Sequence, residues 1–396
     1  MPLRQQYSNN VTYKSIVATI LMVCSLPLVF ISRFDEYITV GAYAQLLLGL
    51  LSNFVIFYIL KADIRFIKLI TRLFPIFLAL FFNFLIIGNF DLKQLLYAII
   101  IMPSIALLLF FFNFRRFFAL LPFCVVLFLT IYRWFVLGLG AEGVTVNSRN
   151  YIVYHLFISC LPYILYCYRH KERPFIIVPI IFIAAALFSI GRGGIIISII
   201  FFIGWLAGSI SISKHKFLVV LLMLLLFITI VYLLNGNETL DLFFRRFEER
   251  GLESSARTDA WKQYVNSLSD PFNLLFGTKV STLPLVHELE DSLHNSYLTL
   301  HSRMGFLCVP YLYFAISGFI VLIKQKAYLL IAYFASFLIK GLVDADFPCA
   351  GVGGDIYMYL LMLIYIDNKY SKRFNKYNES KSNSIISASV PSNSGK

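Results

Sequence analysis

Long apolar segments follow one another through almost the whole of this 396-residue sequence, and they constrain its fold more than any other feature. Hydrophobic residues make up 59% of the chain and charged residues 14%, whereas soluble proteins have about 45–50% apolar and about 25% charged residues. About 20 apolar residues in a helix cross the hydrocarbon core of a bilayer. The sequence therefore predicts an all-α polytopic membrane protein with about 12 transmembrane helices, at residues 15–32, 39–60, 73–90, 94–112, 118–137, 151–168, 174–190, 194–211, 217–234, 304–323, 327–343 and 352–367.

The basic residues are distributed unevenly between the connections, and their distribution predicts an orientation. Every second connection is basic, and these connections together with the two ends of the chain hold 21 of the 34 Lys and Arg residues. Basic connections remain in the cytoplasm according to the positive-inside rule, so we expect both termini there. Topology also accounts for the net charge of +13, and nucleic acid is not an expected partner.

One long polar interval divides the chain. Residues 1–234 hold the first nine predicted spans, residues 235–303 form the interval, and residues 304–367 hold the last three spans. The orientation puts this large loop outside, in the periplasm or its equivalent. The Ser/Asn/Lys-rich tail, residues 368–396, has too little apolar content for a core, so we expect it to be disordered and cytoplasmic.

The loop itself is predicted to be helical. An amphipathic run at 243–247 suits a helix on the membrane face. Ser254 or Ser255 can cap the next helix, and the segment from Ser292 is expected to run helically into the tenth span. The helical spacing of the second helix gives an apolar stripe of Ala260, Trp261, Tyr264, Val265 and Leu268.

Arginines on the outer side are candidates for binding an anion. Arg192 lies in the run SIGRGG, where glycines allow backbone amides to approach a ligand; a tight reversal with a snorkelling arginine explains it equally well. Arg257 lies in the first turn of the capped helix, where free amides and the helix dipole favour a phosphate. Trp261 follows on the same face. The simpler alternative for Arg257 is an exposed side chain in a local ion pair.

Three further arginines lie near predicted outer ends of spans. Arg133 is within or near the end of the fifth span, where the cost of burying its charge in lipid favours a position inside the bundle or snorkelling. Arg149 precedes the sixth span and Arg303 the tenth, where a plain interface anchor is the alternative reading.

Histidine is the natural base near neutral pH for a sugar hydroxyl. His294, Tyr297 and His301 are spaced so that a continuous helix would carry two imidazoles and a phenol on one face. Of the two histidines, His294 is the stronger candidate. No set of ligands spaced for zinc accompanies them, so no metal is expected.

Carboxylates offer a competing interpretation. Asp35-Glu36 and Asp344-Ala345-Asp346 are acidic pairs on the outer side that could hold a divalent cation on a lipid phosphate. Asp344 could instead orient an arginine. The sequence has neither a Walker A run nor a G-x-S-x-G motif, so neither ATP nor a serine nucleophile is expected.

Four short motifs together resemble the bacterial O-antigen polymerase/O-antigen ligase superfamily, whose members act on polyprenyl-diphosphate-linked glycans. They are SIGRGG, A-R-x-x-x-W (Ala256 to Trp261), P-x-x-x-x-x-G (Pro271 to Gly277) and HNSYL (His294 to Leu298), and the likeness covers roughly residues 130–350. The repeated R-x-G spacing of the polymerases is not found before Arg149.

The resemblance implies roles for particular residues. Arg192 and Arg257 would hold the lipid diphosphate, and His294 would act beside the acceptor. Asp344 matches an acidic position at the end of a late span. The substrate-binding set that we expect around these three catalytic residues is Arg133, Arg149, Trp261, Asn295, Tyr297, Arg303 and Asp344.

The function that the resemblance implies is an inner-membrane polysaccharide polymerase that needs no cofactor. Undecaprenyl-diphosphate-linked oligosaccharide would be donor and acceptor, with membrane lipid around the protein and a flippase and a chain-length regulator as further partners. An O-antigen ligase, which uses lipid A core as acceptor, is the first alternative. A non-enzymatic flippase or transporter is the second, although such folds usually carry charged residues at the bilayer midplane and pseudo-repeated halves.

Overall fold

The structure is a computed structural model that describes residues 13–32, 38–60, 63–89, 91–139, 150–189, 192–212, 255–289, 291–344 and 353–370. Every regular element within these ranges is helical. The helices are α1 (Tyr13–Ile31), α2 (Ile38–Leu60), α3 (Ile64–Ile86), α4 (Leu92–Phe111), α5 (Arg116–Val136), α6 (Asn150–His170), α7 (Ile177–Ser189), α8 (Arg192–Ile212), α9 (Ser255–Ser267), α10 (Pro271–Phe276), α11 (Pro284–His287), α12 (Ser296–Met304), α13 (Cys308–Lys324), α14 (Tyr328–Lys340) and α15 (354–370).

Seven helical runs in this part of the chain are long and apolar enough to cross a membrane, and three shorter apolar helices accompany them. Large apolar side chains such as Leu47, Phe54 and Phe57 remain exposed along these helices, as lipid-facing residues do. The prediction of an all-α protein with membrane-spanning helices is therefore confirmed. The count of 12 spans stays a prediction, and the run 217–234 and the helix at 243–247 lie outside the described residues. The seven runs are Thr39–Leu60, Phe66–Ile86, Leu92–Phe111, Arg116–Val136, Tyr151–His170, Gly193–Ile210 and Ser296–Lys324.

Helix α3 begins much earlier than the predicted span 73–90. It starts at Ile64 and includes Lys68 and Arg72, which the sequence reading had treated as a connection. Lysine and arginine are good helix formers, and their aliphatic stems can lie along apolar surface, so a fall in hydropathy does not end a helix. The Nζ atom of Lys68 lies 3.9 Å from the centroid of the Tyr370 ring.

The bundle is organised around α4 and α6, which are 78% and 83% buried over their spanning windows, against 28–39% for the other five runs. The side chain of Phe157 on α6 stacks on Tyr333 of α14 with ring centroids 4.0 Å apart, and the Tyr333 hydroxyl donates to the Phe157 carbonyl. Three more aromatic rings complete this cluster, namely Phe182, Phe201 and Tyr357. These contacts join α6, α7, α8, α14 and α15.

Helices α8 and α14 pack antiparallel. Gly204 faces Ala332 so closely that a Cβ atom on the glycine would overlap the alanine side chain, as is common where membrane helices meet through small residues. Further towards the start of α8, the Ile197 carbonyl accepts a hydrogen bond of 3.2 Å from Ser336 Oγ. The amino-terminal end of α8 therefore lies beside the carboxy-terminal end of α14.

Helix α6 is also antiparallel to α14, because Phe157 pairs with Tyr333 whereas the earlier Tyr154 lies against the later Lys340. Helices α6 and α8 begin, and α14 ends, at one end of the bundle. We call it the "loop end". Residues 255–304 contact the bundle there, because Ser296 N donates to Gly341 O, one residue after α14.

Residues 278–302 are fixed to the bundle by two asparagines. Asn89, just before α4, donates from Nδ2 to the carbonyls of Thr278 (2.8 Å) and Ser302 (2.7 Å), and its Oδ1 accepts from Val280 N (3.0 Å). Asn83 of α3 donates to the same Ser302 carbonyl at 3.1 Å. These bonds satisfy backbone groups of Thr278, Val280 and Ser302, so this part of the predicted loop is folded onto the bundle.

Two local predictions for the loop are wrong. The helix does not begin at Ser292: α12 begins at Ser296, because Asn295 caps it by accepting from two backbone amides, and the 3-10 turn Gly305–Leu307 separates it from α13. Val265 is 54% exposed, whereas Ala260 and Tyr264 are fully buried and Trp261 and Leu268 pack against them. The apolar stripe of α9 is therefore narrower than periodicity suggested.

Candidate functional site

Several predicted residues converge on residues 341–344, which we call the 341–344 turn. Arg257 Nη1 on α9 donates to Val343 O at 3.4 Å, across 86 positions of sequence. Asn295 Nδ2 donates to Leu342 O at 3.1 Å, and Ser296 Oγ donates to Asp344 O at 2.8 Å. The turn thus joins α9, the start of α12 and the end of α14 at the loop end.

Arg257 is a cation of this site whose guanidinium has N–H donors available for a ligand. It lies in the first turn of α9, which begins at Ser255, and its side chain is partly exposed. Among the residues that the structure describes, Arg257 makes one hydrogen bond, the long one to Val343 O. A guanidinium has five N–H donors in a fork that matches phosphate oxygens, so Arg257 can bind an anion without breaking the fold.

His294 lies beside the turn, but not on α12. Its φ of 45° is left-handed, which is uncommon for residues other than glycine and is often found at functional sites. Its backbone N–H donates to Ser292 Oγ at 3.2 Å. The preceding residue, Leu293, is buried, and its carbonyl accepts a 2.6 Å hydrogen bond from Trp261 Nε1. Trp261 therefore holds the backbone directly before His294.

The predicted face with two imidazoles and a phenol does not form, because His294 precedes the helix that carries His301. The His301 ring is occupied by the protein: Nε2 lies 3.0 Å from Leu274 O and Nδ1 lies 2.7 Å from the Tyr264 hydroxyl. A carbonyl only accepts, so Nε2 carries a proton. Burial raises the pKa of Tyr264, which keeps its phenol protonated for Nδ1. His301 links α9, α10 and α12 rather than serving as a base.

Asn295 and Tyr297 also act mainly in positioning. The Asn295 oxygen accepts from the Tyr297 and Leu298 amides while its nitrogen reaches the 341–344 turn. The Tyr297 hydroxyl donates to Leu338 O at 2.8 Å. These bonds attach the start of α12 to the end of α14.

Lys340 is a residue of this site that sequence reasoning missed. Its side chain is fully buried, and Nζ lies 2.9 Å from Asp344 Oδ2. The same ammonium lies 4.5 Å from the centroid of the Tyr154 ring and 5.5 Å from that of Tyr151, distances suited to cation–π attraction. Asp344 thus pairs with a lysine one helical turn earlier. Lys340 and Asp344 are spaced i,i+4 in an otherwise apolar run, and this spacing could have predicted the ion pair from the sequence.

Arg192 and Arg133 belong to the same end of the bundle. Arg192 is the first residue of α8, five positions before Ile197, so the antiparallel register puts its backbone about level with the 341–344 turn. Its side chain lies outside the described residues. Arg133 is buried in the π-helical turn Tyr132–Val136 at the end of α5, as its predicted interior position requires. Such turns are frequent at functional sites.

The remaining predicted positions are less informative. Arg149 lies outside the described residues; the first residue of α6 is Asn150. Arg303 is partly exposed in the last turn of α12, about 12 Å along the helix from Asn295. No group of three or more His, Cys, Asp or Glu that could hold a metal occurs within the described part of the chain; Asp35, Glu36 and Asp346 lie outside it.

Neither a protein-family model nor a curated protein matches this chain. The functional proposal therefore depends on the motifs in the sequence and on the geometry of the loop end.

Proposed function

We propose that this protein is a surface-polysaccharide polymerase of the O-antigen polymerase type. It would transfer the growing glycan from undecaprenyl diphosphate to the next undecaprenyl-diphosphate-linked repeat unit, on the outer face of the bacterial inner membrane. In this proposal the chain has about 12 spans, both termini are cytoplasmic, and the loop end faces the periplasm. A flippase supplies the lipid-linked unit and a chain-length regulator acts with the polymerase.

The observation that carries the proposal is that Arg257 and the residue directly after His294, Asn295, both bond the turn that ends in Asp344, at the loop end of a membrane-spanning bundle. Arg257, His294 and Asp344 belong to segments that the resemblance associates with one site, and they are far apart in sequence. The backbone of Arg192 lies at the same level. A diphosphate on a polyprenyl lipid lies at the membrane–water boundary, which is where an end of a spanning bundle lies.

The proposed chemistry is an inverting, metal-independent glycosyl transfer. A hydroxyl oxygen of the acceptor sugar attacks the anomeric carbon of the donor, the bond from that carbon to the diphosphate oxygen breaks, and undecaprenyl diphosphate leaves as an anion. His294 receives the hydroxyl proton. Arg257 and Arg192 stabilise the negative charge that develops on the leaving group. Electrostatic stabilisation of this kind is usually the largest single contribution to catalysis.

Arg257→Ala tests the diphosphate clamp, with Lys262→Ala as its matched control. Lys262 lies on the same helix and is exposed, with a local ion pair to Asp259. Arg257→Ala should abolish long-chain glycan at unchanged protein level, because truncation removes the guanidinium. Arg192→Ala should do the same, and Lys262→Ala should retain the full ladder on a surface-glycan gel. Normal chain length in both arginine variants would contradict the clamp.

Deletion of the gene in its own strain and an assay of the purified protein together separate the three candidate functions. Loss of a polymerase leaves core carrying a single repeat unit, and only the wild type, not His294→Ala, should restore the ladder. Bare core would favour the ligase. An unchanged ladder would exclude a role in this glycan. Elongation of lipid-linked repeats by the purified protein in detergent would exclude the flippase or transporter.

A further inference from the structure

Helix α10 exposes nearly all of its apolar side chains. None of its six residues is buried, and four large ones, Phe272, Leu274, Leu275 and Phe276, are 39–50% exposed. This helix lies in the polar interval of the sequence and in none of the runs that are long enough to span a membrane. A dense apolar patch of this kind is rare on a surface that faces water, where it usually marks a site of interaction.

The patch continues onto the lipid-facing sides of two spanning helices. On one side the Phe276 ring lies 5.4 Å from the Phe82 ring of α3, and Leu85 and Ile86 near it are 61% and 58% exposed. On the other side the Leu275 carbonyl packs against Gly305, where α12 gives way to α13. Three residues just after Gly305 are exposed as well, namely Phe306, Leu307 and Val309.

The polar groups of α10 are satisfied by the protein on its other side. Asp270 caps the helix by accepting from Phe272 N at 2.9 Å. Asn273 Nδ2 donates to Ser267 O at 3.0 Å, and His301 Nε2 bonds the Leu274 carbonyl. A segment can enter the edge of a bilayer only if its backbone and polar atoms find partners within the protein. The Phe272 amide, the Asn273 side-chain amide and the Leu274 carbonyl meet that requirement.

We propose that α10 is immersed in the bilayer at the loop end, where its exposed side chains contact lipid acyl chains next to α3 and the start of α13. The occupant of this surface is lipid, because the patch is continuous with the lipid-facing sides of both helices. The hydrogen bonds of α10 to α12 and α9 would then fix the depth of the 341–344 turn relative to the membrane surface. This inference depends on the membrane-spanning helices and not on the proposed reaction.

Site-specific photocrosslinking to lipid tests the proposal on the full-length protein. p-Benzoylphenylalanine replaces Leu275, and the protein is reconstituted into nanodiscs of radiolabelled phosphatidylcholine. Leu85, on the exposed side of α3, is the positive control, and Lys262, whose side chain is 69% exposed on α9, is the matched control outside the patch. After illumination, the radioactivity that migrates with the protein on a denaturing gel is measured.

The probe at Leu275 should label with lipid as strongly as the probe at Leu85, and the probe at Lys262 should not label above background. Labelling at Leu275 no greater than at Lys262, while Leu85 labels, would overturn the proposal. A crosslinked dimer or an internal crosslink at Leu275 in place of lipid would also overturn it, since the patch would then be covered by protein.

Discussion

At the scale of single residues, the buried ammonium of Lys340 is the feature with the clearest energetic consequence. A lone buried charge is costly, and Asp344 together with the rings of Tyr151 and Tyr154 compensates this one. The pair also attaches the 341–344 turn to α6, because the two tyrosines lie in its first turns. Lys340 is therefore a positioning residue for Asp344.

Lys340→Met should destabilise the protein by about 3–5 kcal/mol, because it removes one partner of a buried ion pair. Lys340→Met combined with Asp344→Asn should recover part of that loss, since no uncompensated charge then remains. The measurement is the thermal unfolding midpoint in detergent. Lys324→Met is the control, because Lys324 ends α13 with an exposed side chain. A double variant no more stable than Lys340→Met would contradict the ion-pair account.

At the scale of elements, α10 and α12 in the segment 271–304 are packed backbone to backbone on each other. Gly277 and Gly305 have positive φ, and a Cβ on either would overlap a carbonyl oxygen, that of Ser302 or Leu275. Only glycine allows so close an approach at such φ angles. Together with Asn83 and Asn89, these contacts make the segment a fixed part of the protein, so that α10 and α12 hold constant positions relative to α3.

Asn89→Leu should release this segment. The substitution leaves the carbonyls of Thr278 and Ser302 and the amide of Val280 without their Asn89 partners, at about 1–3 kcal/mol for each group that stays buried. We expect faster amide hydrogen exchange across 271–289 with little change in α6. Asn266→Leu, an exposed site on α9, is the matched control. Equal exchange in the two variants would show that the segment is held by other contacts.

At the scale of the whole molecule, one end of the bundle carries the candidate site and the opposite end carries Lys324. The run Ser296–Lys324 leads from the candidate site to the opposite end, where Lys324 lies. The positive-inside rule predicts that Lys324 is cytoplasmic and that the loop end is periplasmic. The proposed reaction needs this orientation, because the lipid-linked units that it joins are on the outer face.

Lys262→Cys and Lys324→Cys test the orientation. With the outer membrane permeabilised, a membrane-impermeant maleimide should label Lys262→Cys in intact cells and Lys324→Cys only after lysis. The wild type gives the background from the native cysteines. Labelling of Lys324→Cys alone in intact cells would place the loop end in the cytoplasm and would rule out the proposed polymerase.

Sequence reasoning predicted the parts of the fold that follow from local chemistry. Apolar runs gave membrane helices because a backbone in lipid must satisfy its own hydrogen bonds, and the polar start of α9 gave a helix at Ser255 with Arg257 in its first turn. It failed where a helix boundary depended on side-chain capping, as at Asn295, and where basic residues continued a helix, as in α3.

The sequence by itself determined that this is a helical membrane protein and which polar residues were available for chemistry, since hydropathy, periodicity and residue type act locally. Only the tertiary structure decided which of them meet. In the structure, Arg257 and Asn295 both contact the 341–344 turn, and Lys340 is buried against α6. His294 lies outside the helix that carries His301, and the apolar side chains of α10 are exposed. These outcomes depend on packing between segments that are far apart in the chain, and no local pattern specifies that packing.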